Sequence, residues 1–494
     1  MNAANMGRVN RHSARYPSDC VVAVGACFLL FISCGSEQKE EAAHSEPSAA
    51  AESQFAAEPR TPNVLWITID TLRADHLGCY GYPRETTPWL DELAAESLVF
   101  ERAFTPIATT LPSHTSMFTG VYPHEHGILA NIAGGQTYLR NPELLTLAEV
   151  LRQGGYATRA VISAFPLREE FGLATGFDIY HQPKARKQRG AKAATKAALK
   201  ALKELQDPAV DGAPGFLWVH YFDPHVPYSP PPEYRDRFQM TEEELAGFVA
   251  RGFLERAQRR TGEWNELDKG TDFYDEEVAF ADFEIARLMR EAKASGWLDD
   301  AIIIVTADHG EGLNQHGMPG HGFVWQEQLR VPLIMRIPGE EAGRVPYSMS
   351  LVDVAPTLLR FIDVPGKAEF LEQATGVDRL DPSISHVDAR ILGQGSPLQS
   401  TDGNIDYTLR AGGWNLHLAP NGIRRLYRVD TDPDETVDLA ESEAAIADRL
   451  EKELREWVAL QRREVTTEAA SDAVRAELRA LGYGGSEDDE EGDR

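Results

Sequence analysis

Hydrophobic runs recur along the chain, and each is closed by polar or turn-forming residues. The runs occupy residues 63–70, 157–163, 216–225, 301–310 and 331–339. Continuous apolar runs of this length are typical of strands buried on both faces of a parallel sheet. Helical periodicity lies between them, for example at 144–151 before Gly154 and Gly155. Because strands alternate with helices, the pattern predicts an α/β domain with a large, mostly parallel sheet covered on both faces.

The pattern changes near residue 386. Residues 406–430 alternate as short antiparallel strands do, and residues 445–463 have the periodicity of an amphipathic helix. We therefore expect a larger domain at 62–385 and a small C-terminal domain of antiparallel sheet and helix at 386–483. The last residues, 484–494, are strongly acidic and predict a disordered tail.

The N-terminus has the pattern of an export signal. Three arginines precede the apolar run 21–32, which is too short to span a bilayer. The run ends in "FISC", which resembles a bacterial lipobox with Cys34 as the acylated residue. This predicts a lipoprotein-type signal at 1–33, a flexible linker at 34–61, and a lipid anchor at the cell envelope, in the periplasm or outer membrane. An ordinary cleaved signal is the alternative, and it also places the protein outside the cytoplasm.

Charge and cysteine content exclude some classes of protein. The formal charge of the 494 residues is −28, which argues against nucleic acid as a partner because binding to phosphates needs a basic surface. Three of the four cysteines lie within the first 34 residues. The folded part therefore has no pair of cysteines for a disulfide of its own.

Acidic residues close two of the predicted strands. Asp70 ends the first run, and Asp308 with His309 ends the run at 301–310. A single aspartate at such a place is often a helix cap, but two aspartates and an adjacent histidine resemble the ligands of a divalent cation. Thr110, in "TLPSHTSMFTG", stands where a helix is predicted to begin. Backbone N–H groups and the helix dipole would stabilise an alkoxide or a bound oxyanion there.

Six motifs of the chain occur in the order found in the sulfatase family of the alkaline phosphatase superfamily, which the chain resembles over about 62–460. They are "NVLWITIDTLRADHLGCYGY", "TLPSHTSMFTGVYPHEHG", "DPHVPY", "TADHGEGLNQHG", "RVPLIMRIPG" and "RLYRVDTDPDETVDLA". The resemblance implies a three-layer α/β/α sandwich and metal-assisted hydrolysis or transfer at a sulfate or phosphate ester.

The resemblance also implies roles for individual residues. Asp70, Asp308 and His309 match metal-ligand positions, and Thr110 matches the nucleophile and would also contact the metal. His225 matches the histidine that contacts the transferred group or protonates the leaving group, and His321 stands where many members have an active-site lysine. We expect one of these two histidines to protonate the leaving oxygen. A second metal bound by Asp223, His225 and His321 is an open alternative. His220 is interpreted as structural.

The chain also departs from the family pattern. Arylsulfatases convert a Cys or Ser to formylglycine, whereas Thr110 cannot be converted, so we expect no formylglycine. His114 replaces the arginine of the nucleophile signature, and Thr71 replaces a second aspartate ligand. An unmodified threonine resembles the nucleophile of nucleotide phosphodiesterases and phosphoethanolamine transferases of the same superfamily.

We therefore expect a hydrolase of sulfate or phosphate esters that forms a covalent Thr-ester intermediate. One divalent cation, Ca²⁺, Mn²⁺ or Zn²⁺, would assist it, and the substrate would be a small anionic ester or a sulfated or phosphorylated glycan. Two alternatives remain. One is a phosphoethanolamine-type transferase acting on envelope glycolipids, and the other is an inactive protein that binds anionic glycans.

Overall fold

The computed structural model describes residues 61–131, 136–138, 141–184, 188–210, 212–238, 267–386, 389–397, 405–460 and 467–469. The predicted signal segment, Cys34, almost all of the linker and the acidic tail lie outside the described residues.

The described residues form seventeen strands. They are β1 Val64–Ile69, β2 Leu98–Phe104, β3 Gln136–Tyr138, β4 Ala157–Val161, β5 Ile179–His181, β6 Gly215–Tyr221, β7 Ile302–Ala307, β8 Gly312–Leu313, β9 Pro319–Gly320, β10 Arg330–Val331, β11 Leu333–Arg336, β12 Gly343–Ser350, β13 Ile391–Gln394, β14 Tyr407–Ala411, β15 Trp414–Leu418, β16 Arg424–Tyr427 and β17 Thr467–Ala469.

The same residues form ten α-helices besides short 3₁₀ turns. They are α1 Pro88–Ala95, α2 Thr110–Thr119, α3 Pro123–His126, α4 Leu147–Gln153, α5 Ala191–Leu205, α6 Leu267–Ala294, α7 Gln326–Leu329, α8 Val354–Leu359, α9 Lys367–Gln373 and α10 Ala444–Val458.

Nine strands form the large sheet, in the order β10-β2-β11-β7-β1-β6-β4-β5, with β12 paired to β2. The pairs of β1 with β6 and β7 are parallel, as are those of β4 with β5 and β6. The predicted mostly parallel sheet is therefore confirmed. The run at 331–339 differs, because its strand β11 is antiparallel to β7 and β2. A continuous apolar run indicates that a strand is buried on both faces of the sheet, but it does not indicate whether the strand is parallel or antiparallel to its neighbours.

Helices cover both faces of this sheet. On one face, Phe118 of α2 packs against Trp66 and Trp218, with ring centroids 5.2 Å and 4.7 Å apart. On the other face, the hydroxyls of Thr195 in α5 and Tyr221 in β6 are 2.9 Å apart. Thr195 also donates to a backbone carbonyl of α6. The result is the three-layer arrangement that was expected.

The smaller sheet is antiparallel, in the order β13-β14-β15-β16. One side of α10 packs against it and buries Ala447, Leu450 and Leu454 with Leu416 and Leu426 of the strands. The antiparallel strands predicted within 406–430 are confirmed, and the helix predicted at 445–463 is present as Ala444–Val458. Within the described part of the chain, no helix is both long and apolar enough to cross a membrane.

Candidate active site

Helix α2 begins beside the end of β7. Thr109 is extended and Thr110 is the first helical residue, while Gly120 ends the helix at φ 71°, a conformation that glycine adopts without steric cost. Ser113 Oγ donates a 2.7 Å hydrogen bond to the backbone carbonyl of Asp308. The first turn of the helix, with Thr110, is thereby fixed to the strand end that carries Asp308.

Asp70 and Asp308 lie at the same edge of the large sheet. Each follows its strand directly, and the parallel register pairs Ile69 with Ala307, so the two aspartates come next to each other. Oδ1 of Asp308 accepts hydrogen bonds from the backbone N–H groups of Thr71, at 3.2 Å, and His309, at 2.8 Å. The other oxygen of Asp308 and both oxygens of Asp70 are buried and have no hydrogen-bond partner among the described residues.

Burial makes ionisation of these carboxyl groups unfavourable. It raises the pKa of Asp70 well above its ordinary value, and the charges of Asp308 and Glu311 raise it further. Burial also raises the pKa of Asp308 to about 7, although its backbone hydrogen bonds act in the opposite direction. Two buried carboxylates at close range require a compensating positive charge if both are to be ionised near neutral pH.

His309 is the third candidate metal ligand beside Asp70 and Asp308. Its Nδ1–H donates to the carbonyl of Gly310 at 3.0 Å, so the lone pair is on Nε2. This nitrogen lies 3.5 Å from Asp308 Oδ2, 3.8 Å from Asp70 Oδ1 and 3.5 Å from Thr110 Oγ1. Burial holds the pKa of His309 well below its ordinary value, so the ring is neutral and able to bind a metal.

These four side chains fit one divalent cation. Bonds from zinc to nitrogen or oxygen are about 2.0–2.2 Å, so two ligand atoms of one ion lie at most about 4.4 Å apart. The separations of 3.5 to 3.8 Å around His309 Nε2 satisfy that limit. The partnerless oxygens of Asp70 and Asp308 are the atoms that such an ion would satisfy. The mixture of oxygen and nitrogen donors suits Mn²⁺ or Zn²⁺ at least as well as Ca²⁺.

His321 lies beside this group with an acidic neighbour behind it. Its ring centroid is 4.4 Å from that of His309, and its Nδ1 is 3.4 Å from Glu311 Oε1. Burial lowers the pKa of His321, but the charge and hydrogen bond of Glu311 and the charge of Asp308 outweigh this effect, so the pKa is raised. His321 is therefore suited to carry a proton near neutral pH.

The pKa of His225 is lowered, whereas that of His321 is raised. Its Nδ1–H donates to the carbonyl of Val226 at 2.6 Å, and its Nε2 has no hydrogen-bond partner among the described residues. Burial and the nearby charge of His321 lower the pKa of His225 to about 4. His225 is consequently a neutral acceptor at pH 7, 5.1 Å from the ring of His321 between centroids.

Asp223 does not join the two histidines. Its carboxylate accepts a 2.7 Å hydrogen bond from the backbone N–H of Ala191, at the start of α5. In the described part of the chain, two sets of three candidate ligands have their atoms within 4.8 Å of one another. They are Asp70, Asp308 and His309, and His114, His220 and Asp308. The structure thus gives no support to the alternative of a second metal held by Asp223, His225 and His321.

His114, at the position of the signature arginine, supports the start of α2. Its Nδ1–H donates to the carbonyl of Thr110 at 2.8 Å, and its Nε2 lies 3.1 Å from Thr68 Oγ1. Trp218 donates to the same hydroxyl oxygen at 3.0 Å, so the Thr68 proton points to His114. Burial lowers the pKa of His114 to about 3. A neutral ring with both nitrogens bonded therefore replaces a cationic side chain.

His220 is the residue near the site that sequence reasoning did not select. It is fully buried, and its Nε2 lies 3.6 Å from Asp70 Oδ2. The register pairs His220 with Thr68, two residues before Asp70, so all three side chains point to the α2 face. The signal available in the sequence was a histidine spaced by two from Trp218 within a buried strand.

The comparisons with known proteins agree with the geometry. Residues 62–364 match the family model described as Sulfatase. An ulvan-active sulfatase from Formosa agariphila is 26% identical over 356 residues, which are 66% of this chain and 66% of that protein. The chain thus spans about two thirds of the length of this relative. An N-acetylglucosamine-6-O-sulfatase from Bacteroides thetaiotaomicron is 24% identical over 437 residues, 71% of this chain and 73% of that one.

Solved structures share the fold. The phosphonate monoester hydrolase of Agrobacterium radiobacter superposes with a TM-score of 0.62 at 20% identity, covering 81% of this chain and 96% of that chain. The predicted fold class, a large mostly parallel α/β sandwich with a small antiparallel sheet, is confirmed.

Proposed function

Because the chain belongs to the sulfatase family, we propose that it hydrolyses sulfate or phosphate esters with Thr110 as the nucleophile. The observation that carries this proposal is the position of Thr110 Oγ1. It lies at the first turn of α2, 3.5 Å from His309 Nε2 and beside the buried carboxylates of Asp70 and Asp308, three of whose oxygens have no hydrogen-bond partner among the described residues. The hydroxyl of an ordinary buried threonine caps a helix or packs against its neighbours, whereas the hydroxyl of Thr110 lies among candidate metal ligands.

Asp70, Asp308, His309 and Thr110 Oγ1 would hold one divalent cation. When bound, the cation would neutralise the carboxylates, favour the ionised form of the threonine hydroxyl and polarise the ester oxygens. Hydrogen bonds within the protein orient the site. The bond from Ser113 to the Asp308 carbonyl sets the position of Thr110, and the bond from His309 Nδ1 to the Gly310 carbonyl leaves Nε2 as the ring nitrogen that faces Thr110.

In the first half of the reaction, the sulfuryl or phosphoryl group of the ester is transferred to Thr110. The ionised Oγ of Thr110 forms a bond to sulfur or phosphorus, and the bond from that atom to the ester oxygen breaks. The departing oxygen takes a proton from His321, whose raised pKa suits a general acid. His225, neutral with its partnerless Nε2, is assigned to accept a hydrogen bond from the substrate.

In the second half of the reaction, the Thr110 ester is hydrolysed and the free protein is regenerated. Water attacks the sulfur or phosphorus of the Thr110 ester and gives a proton to His321, which is now neutral. The bond to Thr110 Oγ breaks, and inorganic sulfate or phosphate leaves. Formylglycine is not needed in this scheme, but a threonine ester has no aldehyde route for release, so water must attack the central atom directly.

The substrate class is the second part of the proposal. The named activities of the relatives, on ulvan and on the 6-O-sulfate of N-acetylglucosamine, support a sulfated glycan. The threonine nucleophile instead favours a phosphate or phosphonate ester. A parallel assay of aryl sulfate, phosphate monoester, phosphodiester and phosphonate ester, each with Ca²⁺, Mn²⁺ or Zn²⁺, decides between them. Adding an acceptor alcohol to the assay separates hydrolysis from transfer by its products.

Substitution of Thr110 tests the nucleophile. We expect Thr110→Ala to lower turnover on the order of 10⁴-fold or more while fold and metal content persist. Thr110→Ser is the matched control, because it retains the hydroxyl and should retain measurable turnover. Acid-quenched wild-type protein should carry one sulfuryl or phosphoryl group on the peptide that contains Thr110. Activity of Thr110→Ala within a few fold of the wild type would refute the assignment.

We also propose that the protein is held at the cell envelope by a lipid on Cys34. The apolar run that ends at this cysteine supports the proposal. A Cys34→Ser variant should lose the lipid label and leave the membrane fraction. Equal membrane association of the variant and the wild type would contradict the anchor.

A further inference from the structure

We propose that a cavity between the large sheet and the smaller sheet binds an anionic group of a glycan substrate, away from the ester that is cleaved. The inference rests on the proposed function, because it concerns the class of substrate. The cavity has a volume of about 570 Å³, within the range of about 300–1,000 Å³ that is usual for small-molecule sites. Residues of β2, β10 and β12 line one side, and residues of β14 and of the loop at 428–433 line the other.

Positive charge is concentrated in the wall of this cavity. Arg102, Arg330 and Arg410 line it, and Asp430 is the one acidic residue among the described residues that do so. The whole chain has a formal charge of −28, so the cavity reverses the prevailing sign locally. A guanidinium group matches sulfate, phosphate and carboxylate, to which it can donate two parallel hydrogen bonds. The charge therefore favours an anionic ligand.

Arg330 and Arg410 interact through their charges, and only Arg410 has a direct counter-charge within the described part of the chain. Glu435 pairs with Arg410 at 3.0 Å, whereas Arg330 donates to the backbone carbonyl of Glu101 at 3.0 Å. Burial lowers the pKa of Arg410, and the positive charge of Arg330 lowers it further. The two cations thus repel each other, and an anion bound in the cavity would offset that repulsion.

The third arginine is only loosely paired. Arg102 Nη1 lies 3.9 Å from Asp430 Oδ1, too far for a hydrogen bond, and the two side chains are 49% and 44% exposed. The same carboxylate also faces Arg428, at 3.7 Å. Hydrogen bonds to the backbone carbonyl of Pro346 fix the guanidinium of Arg102. Arg102 is therefore held at the wall of the cavity without a hydrogen-bonded carboxylate.

The cavity also contains a surface for a sugar ring. Tyr347 and His386 both line it, and their rings are stacked, with centroids 4.1 Å apart and planes at 19°. The C–H face of a sugar is apolar and can pack on aromatic side chains of this kind. Guanidinium groups beside an aromatic wall favour an anionic saccharide over a free inorganic anion.

The position of the cavity relative to the active site agrees with this. Strand β11 is antiparallel to both β2 and β7, so β2 and β7 run in the same direction, two strand spacings or roughly 10 Å apart. Phe104, at the end of β2, lines the cavity, and Asp308 follows the end of β7. Both sites therefore lie at the same edge of the large sheet. A short oligosaccharide that is cleaved at Thr110 spans the distance between them.

Binding of defined oligosaccharides to the full chain tests the proposal. The probe is a short dextran sulfate oligosaccharide, compared by calorimetry at one ionic strength with uncharged dextran of the same length and with inorganic sulfate. We expect the sulfated oligosaccharide to bind and the uncharged one not to bind. Arg102→Gln and Arg330→Gln should each weaken binding of the sulfated probe by about 10-fold or more, because each removes a hydrogen bond between charged groups.

Arg449→Gln is the matched control. Arg449 is an exposed arginine of α10 that does not line the cavity, and its substitution changes the net charge by the same amount. This variant should keep the affinity of the wild type. An equal loss in Arg449→Gln would indicate general electrostatic attraction and overturn the proposal.

Three other outcomes also overturn it. They are a wild type that does not bind the sulfated probe, wild-type affinity in both cavity variants, and equal binding of uncharged dextran. Inorganic sulfate that binds as tightly as the oligosaccharide would overturn the assignment to a glycan. None of these readouts needs turnover, so each leaves the proposed ester hydrolysis standing. Absence of turnover with all four classes of ester would instead overturn the proposed function, whatever the binding data.

Discussion

Two buried acidic centres of this protein differ in one respect. Glu435, beside the small sheet, accepts hydrogen bonds from Arg410 at 3.0 Å, Asn415 at 2.5 Å and the backbone of Gln326 at 3.1 Å. Asp70 accepts none among the described residues. The same chain thus satisfies one buried carboxylate completely and leaves another with both oxygens free.

The pKa values follow this difference. Burial raises the pKa of Glu435, but the charges and hydrogen bonds of His417, Arg410 and Asn415 outweigh burial and lower it to about 2. At Asp308 burial prevails and raises the pKa to about 7. A carboxylate paired by the protein stabilises the fold, whereas one left for a cation is stable in its charged form only when that cation binds.

The largest effect is expected at the proposed cation site. Asp308→Asn retains the size of the side chain and removes its charge, so it should lose stoichiometric metal and lower turnover by about 10³-fold or more, which is roughly 4 kcal/mol of activation energy. Metal content by mass spectrometry and kcat/KM with the best ester substrate measure this. Full metal occupancy in the variant would show that Asp308 is not a ligand.

Substitution of Glu435, the other buried carboxylate, should change the stability of the protein and not its metal content. Glu435→Gln leaves the buried guanidinium of Arg410 without its counter-charge, and breaking a buried ion pair in this way costs about 3–5 kcal/mol. Denaturant unfolding should show this loss while the metal content stays stoichiometric. A variant as stable as the wild type would mean that the pairing of Glu435 does not explain its burial.

The two centres should also give opposite pH dependences. With the metal removed, the folded state binds more protons than the unfolded state between the ordinary pKa of 3.8 and the raised value of about 7 for Asp308. Stability of the metal-free protein should therefore rise, by a few degrees in Tm, as pH falls through this range. The contribution of Glu435, whose pKa is lowered from 4.5 to about 2, is present above pH 4.5 and is lost as pH falls through about 2.

Asp308→Asn provides the check on that sign. The metal-free variant should lose the part of the rise between pH 7 and 4 that Asp308 contributes, while the part that comes from the raised pKa of Asp70 should remain. A rise of the same size in the variant would assign it to other groups. Adding the metal to the wild type should also suppress the rise.

Apolar runs were sufficient to predict the central strands, because burial on both faces makes β1, β6 and β7 continuously hydrophobic. The strand β2 was not predicted, since its half-buried Glu101 and exposed Arg102 interrupt the run. The aspartates were found because they end strands.

His220 could not be selected from the pattern alone. Its relation to Asp70 depends on which strand neighbours β1 and in what register, and that information is spread over 150 residues of chain. The division of roles between His225 and His321 is equally non-local, because it depends on whether Glu311 or a backbone carbonyl meets the ring.

The smallest expected effect concerns the link between α2 and the cation site. Ser113→Ala removes the hydrogen bond to the Asp308 carbonyl, so it should lower the free energy of unfolding by about 1 kcal/mol and also reduce kcat several-fold by loosening Thr110. Ser116→Ala is the control on the same helix. Its hydroxyl contacts His126 Nε2 at 3.0 Å, away from Asp308, so it should cost similar stability without a change in kcat. If both variants lower kcat equally, the Ser113 hydrogen bond has no special part in positioning Thr110, and the rigidity of α2 as a whole accounts for the effect on kcat.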